Sequence, residues 1–98
     1  MKSPETCENI DEIRNEIDSI DREIINLFAL RFGYVKEIVR FKTNQEEIVA
    51  QKRYDEVIAK NRKIAEEKNL NPDIIEKIYR QLMNYFIDEE MKLLSQKK

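Results

Sequence analysis

The run Ile10–Lys42, IDEIRNEIDSIDREIINLFALRFGYVKEIVRFK, carries one apolar seam along its whole length. Counting in sevens, Ile10, Ile17, Ile24, Arg31 and Ile38 share one register, with Ile13, Ile20, Leu27, Tyr34 and Phe41 three residues behind. These are the a and d positions of a long amphipathic helix. Arg31 breaks the pattern, because every counterpart in its register is isoleucine. A guanidinium facing a packed seam costs on the order of several kcal/mol unless an anion meets it. The helix therefore asks for a buried negative partner.

Working outward, the entry to this helix falls between residues 3 and 10. Ser3-Pro4 offers a capping hydroxyl with proline at the first helical position, and Asn9 ahead of Asp11 and Glu12 offers a second start. Gly33 interrupts the pattern at about 1 kcal/mol relative to alanine, as a close helix contact or a slight bend. Thr43 to Glu47 has no apolar residue and no period, which predicts a loop. A second helix follows from Ile48 or Ala50 to Lys68, with Tyr54, Val57, Ile58, Asn61, Ile64 and Ala65 at spacings of three and four. Asn69-Leu70-Asn71-Pro72-Asp73 stops it and starts the next: Asn69 suits a left-handed closing residue, Asn71 an N-cap and Pro72 the first turn. The third helix runs from Pro72 to about Leu94, and the tail Ser95 to Lys98 is expected to fray. Glu90 sits among apolar neighbours at three, four and seven residues before it and four after. Its carboxyl should point into a mostly dry environment.

Composition agrees with an all-α chain. One Gly, two Pro and no Trp among 98 residues, with 39% charged residues, describe helices with solvated outer faces. Nothing separates two domains, so residues 1–98 are expected to form a single helical domain. The net charge of -2 offers no overall basic field for nucleic acid or an anionic membrane. Cys7 is the only cysteine and histidine is absent, which removes intrachain disulfides, cysteine-based zinc sites, the usual triads and the commonest general base. No apolar run approaches the ~20 residues of a membrane span, and no signal-like segment opens the chain. A cytoplasmic protein is expected.

Helix lengths bear on assembly. At 1.5 Å per residue the first helix spans roughly 50 Å, against roughly 28 and 34 Å for the second and third. Folding the shorter two against it within one chain would leave much of the isoleucine seam wet. An intertwined homodimer, with long helices paired across a two-fold axis, is the expected solution.

Three cations define a candidate site. Arg31 and Lys42 are eleven residues apart, about three helical turns, and project to nearly the same side. Arg14 lies roughly 25 Å from Arg31 along the axis, too far to share a ligand within one chain. In an antiparallel pairing, Arg14 of the partner subunit can arrive at the Arg31 site. Two guanidinium forks and a lysine around an apolar pocket describe a receptor for a small dicarboxylate. Glu90 would repel such a dianion if ionised. Protonated, as desolvation favours, it becomes a hydrogen-bond donor to the substrate. Lacking a conventional base or nucleophile, the site suits a reaction driven by confinement and by stabilising charge on an oxygen as a bond breaks. The same residues also fit blander roles: Arg31 in a structural ion pair or snorkelling at an edge, Glu90 paired with a lysine, Lys42 as a solvated helix-end charge. On that view the chain is a catalytically silent helical dimerisation module.

Arg14 and Arg31 on the first helix, Lys42 at its end, Arg53, the Asn71-Pro72 junction and Glu90 on the third helix together resemble the all-helical chorismate mutases. Lys2-x-Pro4-Glu5-x-Cys7, Ile13-Arg14, Ile17-Asp18-x-Ile20-Asp21, Tyr34-Val35-Lys36 and Arg40-Phe41-Lys42 are similar to the isochorismate pyruvate-lyases of salicylate and siderophore synthesis, which share that fold. The resemblance covers nearly the whole chain. It implies an intertwined homodimer of three-helix chains with two shared active sites and no cofactor or metal. It further implies that Arg14 of one subunit and Arg31 of the other bind substrate carboxylates, and that Lys42, at the edge of a closing loop, faces the breaking ether bond. Val35, Ile38, Val57, Phe86 and Ile87 would form walls, and Arg53 would support or contact a carboxylate. The catalytic set is then Lys42, Glu90 and Arg31. Dedicated mutases of this class carry acidic residues where this chain has Ala50 and Tyr54, which favours the lyase branch. The lyases and many mutases have Gln at the place of Glu90, while some mutases use Glu there.

Overall fold

A computed structural model describes residues 2–97. Among them the architecture is all-α: α1 (Ile10–Ile38), α2 (Gln45–Val49), α3 (Gln51–Glu67) and α4 (Pro72–Gln96), with 3-10 turns at Pro4–Thr6 and Val39–Phe41. Three helices dominate, the N-terminal one being the longest, and α2 is a single added turn. The chain divides into two compact units, Met1–Tyr34 and Val35–Lys98.

In the first unit, both starts read from the sequence are used. Pro4 opens the 3-10 turn, although the Ser3 hydroxyl bonds Thr6 Oγ1 at 3.1 Å rather than a backbone N–H. Asn9 then starts α1, its Oδ1 accepting from the Glu12 N–H at 2.8 Å. Glu12 returns the gesture to the Glu8 N–H at 2.7 Å and takes the Lys2 ammonium at 2.8 Å. The backbone donor first, then the ammonium, hold the Glu12 carboxyl below its usual range. No described residue of α1 is buried. Along the seam Ile10, Ile17 and Leu27 are 63%, 49% and 53% exposed. At Gly33 an added Cβ would meet nothing within 4 Å. The close contact expected for this glycine is therefore not seen among the described residues.

The second unit holds the core. Tyr54, Val57, Ile58 and Met83 pack together, with Tyr79 and Ile87 against them, joining α3 to α4. The Tyr54 hydroxyl donates to Asn84 Oδ1 at 2.9 Å and the Arg80 guanidinium lies 5.6 Å from the centre of the Tyr54 ring. Outside this core, Arg62 bridges Asp73 and Glu76, and Arg80 bonds Glu76 from one turn further along. Arg80 and then Arg62 hold the Glu76 carboxyl below its usual range. The α3–α4 junction follows the capping chemistry of its residues. Asn69 adopts φ 61, and Asn71 Oδ1 accepts from the N–H groups of Asp73 and Ile74.

Three details differ from the sequence reading. The α-helical spacing ends at Ile38, where the 3-10 turn Val39–Phe41 takes over and Lys42 is extended, so Lys42 does not continue the register of Arg31. Thr43 to Glu47, expected to be a loop, instead leads into α2, which begins at Gln45 and is capped by Asn44, whose Oδ1 accepts from the Glu47 N–H at 2.9 Å. Ala50, at φ 44, separates α2 from α3. The tail expected to fray instead continues α4 through Gln96, with Lys97 as its cap; Lys98 lies outside the described residues.

Candidate active site

Glu90 is where the sequence put it. Met83, Phe86 and Glu90, spaced by three and four, are the buried residues of α4 among those described, and Glu90 is only 6% exposed. The carboxyl thus sits on a stripe that is otherwise apolar. It is not left without a partner.

Lys42 is half-buried, and its ammonium donates to the backbone carbonyl of Glu47. The Lys42 N–H donates to Val39 O at 3.2 Å, closing the 3-10 turn. Glu47 is itself the hub of the segment: Oε1 accepts from the Thr43 hydroxyl and the Asn44 carboxamide. The Lys42 side chain is thus held by its own loop. A cleft of about 990 Å³ opens between this segment and the end of α4, lined by Lys42, Thr43, Asn44, Gln45, Glu46, Met91, Leu94, Ser95 and Lys97.

The remaining candidates separate into groups. Val57 belongs to the core, Ile87 packs against it, and Phe86 is 4% exposed. None of the three lines the cleft beside Lys42. Val35 is half-buried and Ile38 is 43% exposed. Arg53 is exposed, next to buried Tyr54. Arg14 and Arg31 belong to the first unit, Arg14 exposed and Arg31 half-buried and engaged by other groups. Among the described residues no group of three or more Cys, Asp or Glu is placed to hold a metal ion, and no helix is long and apolar enough to cross a membrane.

Sequence reasoning missed Lys97. Its ammonium donates to the carbonyls of Val39, Arg40 and Lys42 at 2.9, 3.1 and 3.0 Å. A basic residue in the last positions of a helix was the available signal, but its target lies more than fifty residues earlier in the chain.

With an all-α chain carrying a long first helix, a buried Glu on the last helix and a lysine on the intervening segment, comparison with known proteins becomes decisive. The profile described as chorismate mutase type II matches residues 13–91. The chain belongs to the chorismate mutase type II family. It is 34% identical to the isochorismate pyruvate lyase of Pseudomonas aeruginosa over 92 residues, covering 94% of this chain and 91% of that protein. It is also 35% identical to the T-protein of Haemophilus influenzae over 77 residues and 33% identical to that of Enterobacter agglomerans over 72. Those matches span 20% and 19% of the respective T-proteins.

Proposed function

We propose that the protein, with residues 1–98 acting as one catalytic domain, is an isochorismate pyruvate-lyase, converting isochorismate to salicylate and pyruvate, with weaker chorismate mutase activity in the same pocket. The observation that carries this reading is the near end-to-end similarity to an isochorismate pyruvate lyase of almost the same length. Tyr54 supports it. Where dedicated mutases carry a carboxylate, this chain has a core tyrosine, 7% exposed, whose hydroxyl is spent on Asn84. Ala50, the second such position, has no polar side chain to offer and takes the left-handed backbone between α2 and α3.

In this proposal the reaction is pericyclic. A ring hydrogen moves to the enolpyruvyl methylene as the ether C–O bond breaks, releasing pyruvate and leaving the aromatic ring of salicylate. No residue needs to abstract a proton, which suits a chain without histidine. Arg31 and Arg14 of the partner subunit grip the two carboxylates, and Lys42 leaves the Glu47 carbonyl to meet the negative charge growing on the ether oxygen. Glu90, in its neutral form, donates a hydrogen bond to a substrate oxygen. The sharing of arginines requires a homodimer, and the exposed isoleucine seam of α1 supports one: a run of apolar side chains 41% to 63% exposed from Ile10 to Ile24 is larger than isolated chains usually leave wet.

The family description favours a second reading, a chorismate mutase making prephenate. Incubating the protein with isochorismate and with chorismate in turn separates the two, with salicylate fluorescence as the readout for the lyase. Turnover of chorismate alone would select the mutase, and turnover of neither would leave a silent helical dimerisation module.

A further inference from the structure

We infer that Lys97 is a positioning residue for Lys42, acting as a clamp that fixes the turn between α1 and α2. The inference rests on the reading of Lys42 as a group of the active site. The C-terminal carbonyls of a helix lack intrahelical partners and attract cations. An ammonium has three N–H donors and no acceptor, and that of Lys97 meets three carbonyls, those of Val39, Arg40 and Lys42, all between 2.9 and 3.1 Å. Its donor capacity is matched to this one turn. Lys42 is consequently held at three points: its N–H by Val39, its carbonyl by Lys97 and its side chain by the Glu47 carbonyl. Only the last of these must break for the ammonium to reach a ligand. The backbone of Lys42 can then stay fixed to the end of α4 while the segment after it rearranges, so the side chain swings from an anchored point.

Lys97 lines the cleft shared with Lys42 and Met91, and it also lines a smaller cleft of about 450 Å³ with Lys36, Arg40 and Leu93. Losing it would loosen the turn without touching the α3–α4 core of Tyr54, Val57, Ile58 and Met83.

The test compares Lys97→Met and Lys97→Arg with a control, Lys92→Met, which removes an exposed lysine of the same helix that pairs with Glu89 one turn before it. Two measurements are made on the full chain: amide hydrogen exchange over residues 39–50, and kcat and KM on isochorismate and on chorismate. Lys97→Met should accelerate exchange of the Lys42 amide and its neighbours about tenfold while leaving α3 unchanged. It should lower kcat about five- to tenfold with a smaller change in KM, because a displaced Lys42 is missed most at the transition state. Lys97→Arg, which can still donate to several carbonyls, should recover most of both effects, and Lys92→Met should move neither. Unchanged exchange in Lys97→Met would overturn the clamp whatever the activity. Accelerated exchange with kcat intact would overturn its positioning role. A wild-type chain that turns over neither substrate would overturn the functional reading and the positioning role with it, and the exchange data would then judge the clamp separately.

Discussion

The Tyr54 hydroxyl donates to Asn84 Oδ1 at 2.9 Å, tying α3 to α4 across thirty residues of sequence. The ring beneath it belongs to the core, while Asn84 faces solvent. Tyr54→Phe keeps the packing and deletes one hydrogen bond whose acceptor can turn to water. It should cost about 0.5–1.5 kcal/mol in urea unfolding and leave the ratio of lyase to mutase turnover within about twofold. A large change in that ratio would mean that the hydroxyl is part of the substrate pocket rather than a strut behind it.

Lys42 carries the heaviest catalytic burden in the proposed reaction. Lys42→Met keeps much of the side chain's length and removes its charge, so kcat should fall about 10²–10³-fold on either substrate. The Glu47 carbonyl loses a donor in the same variant, so the α2 segment should become more mobile. Because the core lies between α3 and α4, the thermal midpoint should move little. A variant with near-normal kcat would leave Lys42 as an ordinary loop residue.

Glu90 gives the proposal its pH dependence. The role assigned to it needs the neutral carboxyl, so activity is present below the pKa of Glu90 in the folded enzyme and is lost as pH rises through it. Glu90→Gln cannot ionise and still donates, and its pH profile should be flat over the range where the wild type declines. An unchanged profile in the variant would remove the protonated-donor role. Burial alone, at 6% exposure, fits a core acid equally well, which makes the profile the deciding measurement.

Glu76 should govern part of the acid limb of stability. Arg80 and Arg62 lower its pKa in the folded chain, so the unfolded state binds the proton more readily. The stabilisation is present above the ordinary unfolded value of about 4.3 and is lost as pH falls through the lower folded value. The thermal midpoint of the wild type should therefore drop more steeply than that of Glu76→Gln as pH is taken below about 4. Parallel curves for the two proteins would assign the acid limb to other carboxylates.

What the sequence disclosed and what it hid follow from the range of the interactions involved. The Asn69–Asp73 junction was legible because capping is local: Asn71 accepts from N–H groups two and three residues ahead. Burial of Glu90 was legible because helical period alone places it with Met83 and Phe86. The helix α2 was not, because five residues are too few to display a period, and its determinant is a single cap at Asn44. Lys97 was less legible still. Its three acceptors are backbone carbonyls, which carry no residue signature, and they lie more than fifty residues earlier, in the turn that follows α1. The proposed walls illustrate the opposite problem. Apolar residues at helical spacing serve a core and a pocket alike, and Val57 and Ile87 are seen in the core.

The sharing of arginines between subunits can be tested without any ligand-bound structure. If each site takes Arg31 from one chain and Arg14 from the other, Arg14→Ala and Arg31→Ala homodimers should each lose activity at both sites. A heterodimer of the two variants concentrates both defects in one site and leaves the other with both arginines intact. Unfolding and refolding an equimolar mixture makes about half the dimers heterodimers, each with one working site of two, so activity should return to about a quarter of wild type. A site built from Arg14 and Arg31 of the same chain gives no recovery, because every chain in the mixture is then defective. Recovery that disappears when Ile17→Glu is added to both variants would tie the complementation to the exposed seam of α1, where Ile17 is 49% exposed. Sedimentation of Ile17→Glu alone should then show the monomer, since a carboxylate on that seam would have to be buried against its own copy.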